Sequence, residues 1–291
     1  MTDSPNPKDI ISSFVEERFS GDIDGLKYYC FAALKEYPDR RVYGRCSGSS
    51  SFDCDNTRLA NAIYVLLWGG DGNIFPGLTM ENVGSGKDFR GDTMNSFRWV
   101  LGSNKDLTVS RDIESWVKEN AAYPKDKKGL SKTISHWDRY GMGEKAAIFY
   151  RTYHTVGNFV VLPNRYAGDT TLNFYRGENQ WHDFFDRFLI ELDKVFSGSD
   201  KKDVKLNYLA ECNRSAFEGK TLPGLADALF LNDYMDGRKP KALFAPYSTG
   251  KWHKDIDNEE YRVFAMRYID TATKIISHRA DKMCKRLSEL L

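Results

Sequence analysis

The sequence predicts a mainly helical protein with a small, irregular antiparallel β region, and three observations support that class. Apolar residues recur at helical spacing in several segments, most clearly in residues 258–291. The segment at about 71–110 is instead dense in Gly, Asn and Asp with short apolar pieces, as in a small sheet. No internal repeat or low-complexity linker divides the chain. We therefore expect a single domain over residues 1–291, with a mixed N-terminal part at about 1–110 and a helical part at about 111–291.

Three helices are expected in the N-terminal part. The first begins at Pro7 and ends before Gly21, and the second covers about residues 26–35. The third follows the polar residues 55–57, which can cap a helix, and ends at the Gly-Gly pair of residues 69–70.

The helical part contains a series of further segments with apolar residues at helical spacing. A strong amphipathic pattern lies at about residues 178–196, where one face is almost entirely apolar. The other expected helices begin near residue 110 and cover about 130–139, 143–154, 205–217 and 223–234. The last helix is expected to begin at residues 258–260 and to run nearly to Leu291. Its length suits a helix that packs across the domain, and the alternative is the seam of a homodimer.

Composition and charge restrict the function classes. Hydrophobic residues make up 41% of the chain and charged residues 29%, as in ordinary globular proteins. The formal net charge is only +1, so a nucleic-acid role would require a local basic patch. Aromatic residues reach 14%, which suits an aromatic core or, alternatively, a cleft that stacks on flat ligands.

The cysteines and the apolar runs indicate the compartment. The five cysteines are odd in number and contain no Cys-x-x-Cys pair, so we expect reduced thiols and no metal site. Residues 1–7 lack the apolar region of a signal peptide, and no apolar run approaches the ~20 residues that cross a bilayer. We expect a soluble, cytoplasmic protein with no membrane association and no cofactor.

The most informative segment is 153–165. It places a histidine, a Gly-Asn pair, an apolar run and a Pro-Asn-Arg exit in succession, and Thr-Thr-Leu-Asn-Phe-Tyr-Arg-Gly follows at 170–177. Polar groups are thus held beside a segment that must be buried. Functional sites are built in this way, and so are tight structural turns.

Five residues of these segments are the candidate site. His154 could serve as a general acid or base, because its unperturbed pKa lies near neutrality. Asn158 could orient a substrate, which makes it the second candidate catalytic residue. Arg165 and Arg176 could bind a phosphate or carboxylate through two parallel hydrogen bonds, and Asn173 could contact a base edge.

Each candidate also has a structural interpretation. A histidine at a helix end often bonds the last carbonyls. Gly157 and Asn158 tolerate a positive φ and would suit a helix exit. A buried Arg176 would need an internal partner.

The remaining histidines give weaker signals. His182 and Asp186 lie one helical turn apart, and we expect a surface ion pair there in preference to a metal site. His253 belongs to a basic and aromatic cluster that we interpret as a solvated loop. His278 is expected on the polar side of the last helix.

Four motifs resemble an uncharacterised bacterial family that is classed as a domain of unknown function. They are Asp-Asn-Thr-Arg-Leu ending in Leu-Leu-Trp at 55–68, the Thr-Val-Gly-Asn-Phe-Val-Val-Leu-Pro-Asn-Arg stretch with its Thr-Leu-Asn-Phe-Tyr-Arg-Gly partner, Phe-Asp-Arg-Phe-Leu at 185–189, and Asn-Asp-Tyr-Met leading to Lys-Ala-Leu-Phe at 232–244. The resemblance implies a shared architecture and no known activity.

A second resemblance is to nucleases. The pattern His-x-x-Gly-Asn-Phe-x-x-Leu, which begins at His154, is similar to a segment of HNH-type nuclease domains. That likeness implies an upstream Asp-His dipeptide whose histidine activates water beside a metal. The nearest upstream histidine here is His136, which no acidic residue precedes.

Two functions from different classes are therefore open, with a third beside them. The first, slightly favoured, is association with nucleic acid or a nucleotide-like ligand, in a defence or mobile-element context. The second is a non-catalytic helical scaffold in which the Gly-Asn-Phe segment, residues 157–159, has a structural role. The third is a small-molecule enzyme that uses His154 as its acid or base.

Overall fold

The computed structural model describes most of the chain, and α-helices account for most of the described residues. The described residues are 6–35, 43, 53–70, 72–96, 141–179, 181, 183–198, 203–245, 247–248 and 258–291, without the side chains of 143, 146, 147, 150 and 151. The mainly helical class with a small antiparallel β region is confirmed. The predicted helices near 110 and at 130–139 lie outside the described residues.

The helices and strands follow one another in irregular order. The helices are α1 Pro7–Phe19, α2 Arg58–Trp68, α3 Met80–Ser85, α4 Gly143–Tyr153, α5 Leu172–Glu178, α6 Phe185–Phe196, α7 Val204–Cys212, α8 Arg214–Phe217, α9 Leu222–Ala228 and α10 Glu259–Leu290. The strands are β1 Phe89–Thr93, β2 Phe159–Pro163, β3 Met235–Asp236 and β4 Lys239–Pro240.

Polar residues cap the helices where the sequence predicts it. The Thr57 side chain accepts a hydrogen bond from the N–H of Ala60 and begins α2. The Asn258 side chain accepts from the N–H of Tyr261 in the same way and begins α10. Both helix starts are confirmed.

Four predicted helices are interrupted in the structure, and three of the interruptions lie beside hydrogen bonds to distant parts of the chain. Residues 26–35 form parts of two 3-10 turns, Ile23–Lys27 and Phe31–Lys35, and the N–H of Phe31 donates to the carbonyl of His154. The segment at 178–196 is helical only from Phe185 onward. Just before it, the carboxylate of Asp183 accepts from Ser96 and its carbonyl accepts from Tyr268.

The third break lies at Asn213, between α7 and α8. Its side chain accepts a hydrogen bond from the N–H of Arg165 at 3.0 Å, so it serves the exit of β2. Similarly, the segment at 223–234 divides into α9 and a 3-10 turn, Asn232–Tyr234. Local periodicity did not indicate the breaks near Phe31, Asp183 and Asn213, because each lies beside a bond to a distant part of the chain.

The predicted β region supplies only one of the two strands of the β1–β2 sheet. Strand β1 lies within 71–110 as expected, but its antiparallel partner is β2, with Thr93 opposite Phe159 and Phe89 opposite Pro163. A sheet paired within 71–110 is therefore wrong for the described strands. Strand β2 is buried on both faces, so its sequence is a continuous apolar run without alternation.

Helix α10 covers its apolar face within the chain. It packs against α2, α4 and the 3-10 turns Ile23–Lys27 and Val156–Asn158. These contacts bury most of the regularly spaced apolar residues, with Val263 left exposed, and the alternative of a dimer seam gains no support. In the part of the chain that the structure describes, no helix is both long and apolar enough to cross a membrane.

The aromatic residues serve mainly as core. Phe31 packs edge-on against Phe159 with ring centroids 5.0 Å apart, and Tyr64 stacks on Trp68. The described cysteines, Cys30, Cys54, Cys212 and Cys284, are free thiols. Burial raises the pKa of both Cys30 and Cys284 to about 12, which makes these two thiols poor nucleophiles.

Gly157 lies directly against the backbone of α10. A Cβ at this position would stand 2.1 Å from the carbonyl oxygen of Ile276 and 2.9 Å from the Cβ of Ala280. Neither Gly157 nor Asn158 has a positive φ, so the expected positive-φ helix exit is wrong. Glycine is needed here because a helix backbone occupies the space of a side chain.

We expect Gly157→Ala to lower the free energy of unfolding by about 1–3 kcal/mol or more, because α10 must move to admit the methyl group. Urea unfolding followed by circular dichroism measures this. Gly84→Ala is the matched control, since Gly84 lies inside α3 and a methyl group there would have no atom within 4 Å. The control should gain about 0.5–1 kcal/mol from helix propensity. Equal stabilities for the two variants would contradict the close approach.

Candidate functional site

Asn158 occupies the junction between α4 and the sheet. It is fully buried, and its side chain accepts from the N–H of Asn95 at 3.1 Å. Its amide N–H groups donate to the carbonyls of Asn95 and Tyr153 at 2.7 and 2.8 Å. The side chain therefore pairs with backbone as a strand would, and it extends the β1–β2 ladder beyond Thr93.

Arg176 binds the same stretch of the chain. The guanidinium is fully buried, forms an ion pair with Asp92, and donates to the carbonyls of Thr93 and Met94 at 3.1 and 3.4 Å. Its carbon atom Cζ lies 5.0 Å from the ring centroid of Phe185. A charged group of this kind is tolerated inside a protein because it is paired and hydrogen-bonded.

The structure brings two of the five predicted site residues together. Asn158 and Arg176 both bind residues 92–95, the exit of β1. His154, half-buried at the C-terminal end of α4, is directed elsewhere: its ring lies against Tyr153 with centroids 3.6 Å apart.

Arg165 and Asn173 lie further out. The Arg165 side chain is 53% exposed and its Nε donates to Asp88 at 2.9 Å. Asn173 is half-buried in the first turn of α5. Each precedes an exposed ring, Tyr166 and Phe174, and these rings contact each other edge-on at 6.4 Å.

These positions bear on the predicted roles. The contacts of Asn158 satisfy its side chain, and those of Arg176 engage both terminal guanidinium nitrogens and leave its buried Nε without a partner among the described residues. The catalytic roles of His154 and Asn158 and the ligand-binding roles of Arg165, Asn173 and Arg176 stay predictions.

Two further predictions concern histidines. His278 is exposed and its Nδ1 lies 3.6 Å from Asp233, which agrees with the polar side of α10. The surface ion pair at Asp186 is wrong: this carboxylate is fully buried and accepts from the N–H of Phe244 and the hydroxyl of Ser248. His136, His182 and His253 lie outside the described residues.

Arg279 is a buried residue that the sequence analysis missed. From the middle of α10 its guanidinium donates to the carbonyls of Leu229, Gly157 and Phe159 at 2.9, 2.9 and 2.5 Å. Burial lowers its pKa to about 10, so it stays charged at neutral pH. Its position among the apolar residues of the last helix is the sequence feature that could have indicated its burial.

A carboxyl cluster beside β1 was also missed. Asp53 and Asp55 flank the buried Cys54 ahead of α2, and a hydrogen bond joins their carboxyl groups. Asn56 binds both carboxylates, and its amide also exchanges two hydrogen bonds of 3.0 Å with the backbone of Gly91. Asn56 thus attaches the start of α2 to β1.

The two carboxyl groups differ in protonation. Burial, reinforced by the charge of Asp53, raises the pKa of Asp55 well above its usual range. Burial opposes the ionisation of Asp53 as well, but the hydrogen bond from Asp55 and the Arg90 guanidinium outweigh it and lower the pKa of that carboxyl. Asp55 is therefore the proton donor of the pair and Asp53 the ionised acceptor.

The chemical capacity of the cluster is limited by its internal bonding. Asp53, whose side chain is 30% exposed, is the more accessible acid, and it already binds Arg90, Asn56 and Asp55. No group of three or more His, Cys, Asp or Glu side chains is placed to hold a metal ion within the described residues. The hydrogen bonds of the cluster connect the start of α2 to β1, and this structural role explains its buried polar groups.

Comparisons with protein-family models, with curated proteins and with solved structures found no match to this chain.

We expect Asp55→Asn to change how stability depends on pH. A pKa raised by folding stabilises the folded state below the unfolded pKa of about 4, and that stability is lost as pH rises through the folded pKa. Across that window the free energy of unfolding of the parent should fall relative to Asp55→Asn by up to about 1.4 kcal/mol per pH unit. Urea titrations at a series of pH values measure this.

Asp53→Asn is the matched control for this prediction. Its lowered pKa gives the opposite sign, a contribution present above the unfolded pKa of about 4 and lost as pH falls through the folded pKa. Removing that carboxylate should therefore cost stability at neutral pH. Parallel pH profiles for the parent and Asp55→Asn would mean that Asp55 is ionised in the folded protein.

Proposed function

We propose that this chain is a non-catalytic interaction protein, in which the Gly-Asn-Phe segment is structural and an exposed aromatic surface contacts a protein partner. The observation that supports this proposal is the set of hydrogen bonds that Asn158 and Arg176 form inside the protein. Both side chains are fully buried and bind the exit of β1, so neither presents a donor or acceptor to a substrate. A site whose polar groups already serve the fold is poorly suited to catalysis.

The nuclease likeness also favours a non-catalytic role. That likeness implies an upstream Asp-His dipeptide, and the sequence before His154 contains none. In β1, which pairs with β2, the acidic residue Asp92 is followed by Thr93. Asp92 is moreover held by the buried Arg176. The acid and base needed to activate water are therefore not paired at this strand.

The proposed contact surface is formed by four exposed side chains, which we call the aromatic face. Tyr166 is 57% exposed and Phe174 48%, while Val204 and Tyr208 are 75% and 57% exposed one turn apart on α7. Helix α7 packs against α5, which bears Phe174. Large rings that are rigid and solvent-exposed are enriched at protein interfaces, where they supply area at low entropic cost.

The charges near the aromatic face favour a protein over a nucleic acid. Arg165 pairs with Asp88, Lys205 with Glu178, and Arg214 with Glu211. A nucleic acid held by its phosphates releases counterions from unpaired cations, and these three cations are already neutralised.

Association with nucleic acid is the second candidate, because one observation favours it. The exposed rings of Tyr166 and Phe174 stand beside the half-exposed guanidinium of Arg165. Exposed rings next to an arginine can stack on unpaired bases, at about 1–3 kcal/mol per base.

We expect Asn158→Ala to lower the free energy of unfolding by about 2–4 kcal/mol, because it leaves the buried N–H and carbonyl of Asn95 without partners. Thermal and urea unfolding measure this. Asn173→Ala, at a half-buried position, should lose less than about 1 kcal/mol. If Asn158→Ala kept the stability of the parent, the structural role of this segment would be refuted.

We expect Tyr166→Ala combined with Phe174→Ala to abolish partner binding while changing stability by less than about 1 kcal/mol. The measurement is crosslinking in lysate of the source cells followed by mass spectrometry, with binding then reconstituted from purified components. Tyr28→Ala is the matched control, since Tyr28 is 82% exposed on a different element. A partner retained by the double variant, or lost equally with Tyr28→Ala, would contradict the proposed surface.

Oligonucleotide binding distinguishes the second candidate. Fluorescence anisotropy with short single- and double-stranded oligonucleotides at low salt should show no saturable binding if the partner is a protein. Binding by the parent that disappears in the double variant would overturn the first proposal in favour of nucleic acid.

A further inference from the structure

A groove runs along α10 beside α4, and its lining includes no residue of the sheet or of the aromatic face. Its volume is about 360 Å³ and its walls are Lys145 and Ile148 from α4 with Ile269, Asp270, Thr273, Lys274, Ser277 and His278 from α10. Pockets of roughly 300–1,000 Å³ accommodate small molecules, so this groove is at the small end of that range.

The groove combines an apolar surface with charged side chains, only some of which are paired. Ile148 and Ile269 supply the apolar surface. Lys145 is already neutralised, because its Nζ lies 2.7 Å from the carboxylate of Asp270. His278 is directed towards Asp233, 3.6 Å away.

Three polar groups of the groove have no partner among the described residues. They are the Nζ of Lys274 and the hydroxyls of Thr273 and Ser277, for which the structure gives no hydrogen bond or ion pair. The Thr273 hydroxyl oxygen is itself buried. Thr273 and Lys274 lie four and three positions before Ser277, so each is a neighbour of Ser277 on the helix surface, and all three residues line the groove.

An ammonium and two hydroxyls on one face form a set of donors that suits an anion. A buried hydroxyl without a partner costs free energy. Rotation of the Thr273 side chain about its Cα–Cβ bond would bring the hydroxyl to a bound acceptor and recover that cost. The neighbouring isoleucines favour a ligand with an apolar body.

We infer that this groove binds a small organic anion. Its single phosphate or carboxylate head is held by Lys274, Thr273 and Ser277, and its apolar body lies on Ile148 and Ile269. The site is independent of the proposed contact surface, because it shares no residue with the aromatic face.

Isothermal titration calorimetry with phenyl phosphate and with phenylacetate tests the inference and separates the two kinds of head group. We expect the parent to bind at least one of them with a dissociation constant below about 1 mM. Lys274→Gln should weaken that binding tenfold or more, and Lys274→Arg should keep most of it. Ile148→Ser should weaken both aryl anions and leave the weaker binding of inorganic phosphate unchanged.

Lys282→Gln is the matched control, since Lys282 is exposed on the same helix outside the groove. It should bind as the parent does, which excludes a general effect of surface charge. Thermal unfolding confirms that each variant is folded. Absence of binding by the parent to both aryl anions, or equal binding by Lys274→Gln and the parent, would overturn the inference.

Discussion

The rest of the structure depends on the hydrogen bonds that the guanidinium of Arg279 donates. This group joins α10 to the turn before β2, to β2 itself and to the end of α9, through the carbonyls of Gly157, Phe159 and Leu229. These carbonyls lie in a water-poor interior, where an unsatisfied acceptor costs about 1–3 kcal/mol. The indole ring of Trp68 packs 5.5 Å from the same guanidinium, so α2 is fixed by it as well.

Two asparagines repeat one physical solution on either side of the sheet. Asn56 exchanges hydrogen bonds with the backbone of Gly91, and Asn158 does so with Asn95. An amide side chain carries the same donor and acceptor as a peptide group, so it can replace a missing strand. Asn56 bonds the backbone of Gly91, which lies opposite Val161 of β2. Asn158 bonds Asn95 beyond the end of β2. Side chains thus supplement the ladder, which allows a two-stranded sheet to be buried in a helical protein.

Much of the fold could be predicted, and the failures share a cause. Helices α2 and α10 were predictable because a cap residue and a regular apolar face lie within one segment. The breaks at Asp183 and Asn213 and the pairing of β1 with β2 depend on partners far away in the chain, which local patterns do not encode. At the candidate site, the polar content of the Gly-Asn-Phe segment was evident from the sequence. The sequence did not show that the Asn158 side chain bonds the backbone of Asn95.

The long separation between Gly157 and Arg279 also shapes how the protein folds during synthesis. Their contact spans 122 positions, and the helix that fills the space above Gly157 belongs to the same late part of the chain. Pairing β1 with β2 leaves this interior incomplete until residue 279 has left the ribosome. Non-local contacts of this kind slow folding and prolong the exposure of apolar surface. The continuous apolar run of β2 is then the segment most in need of protection from premature self-association.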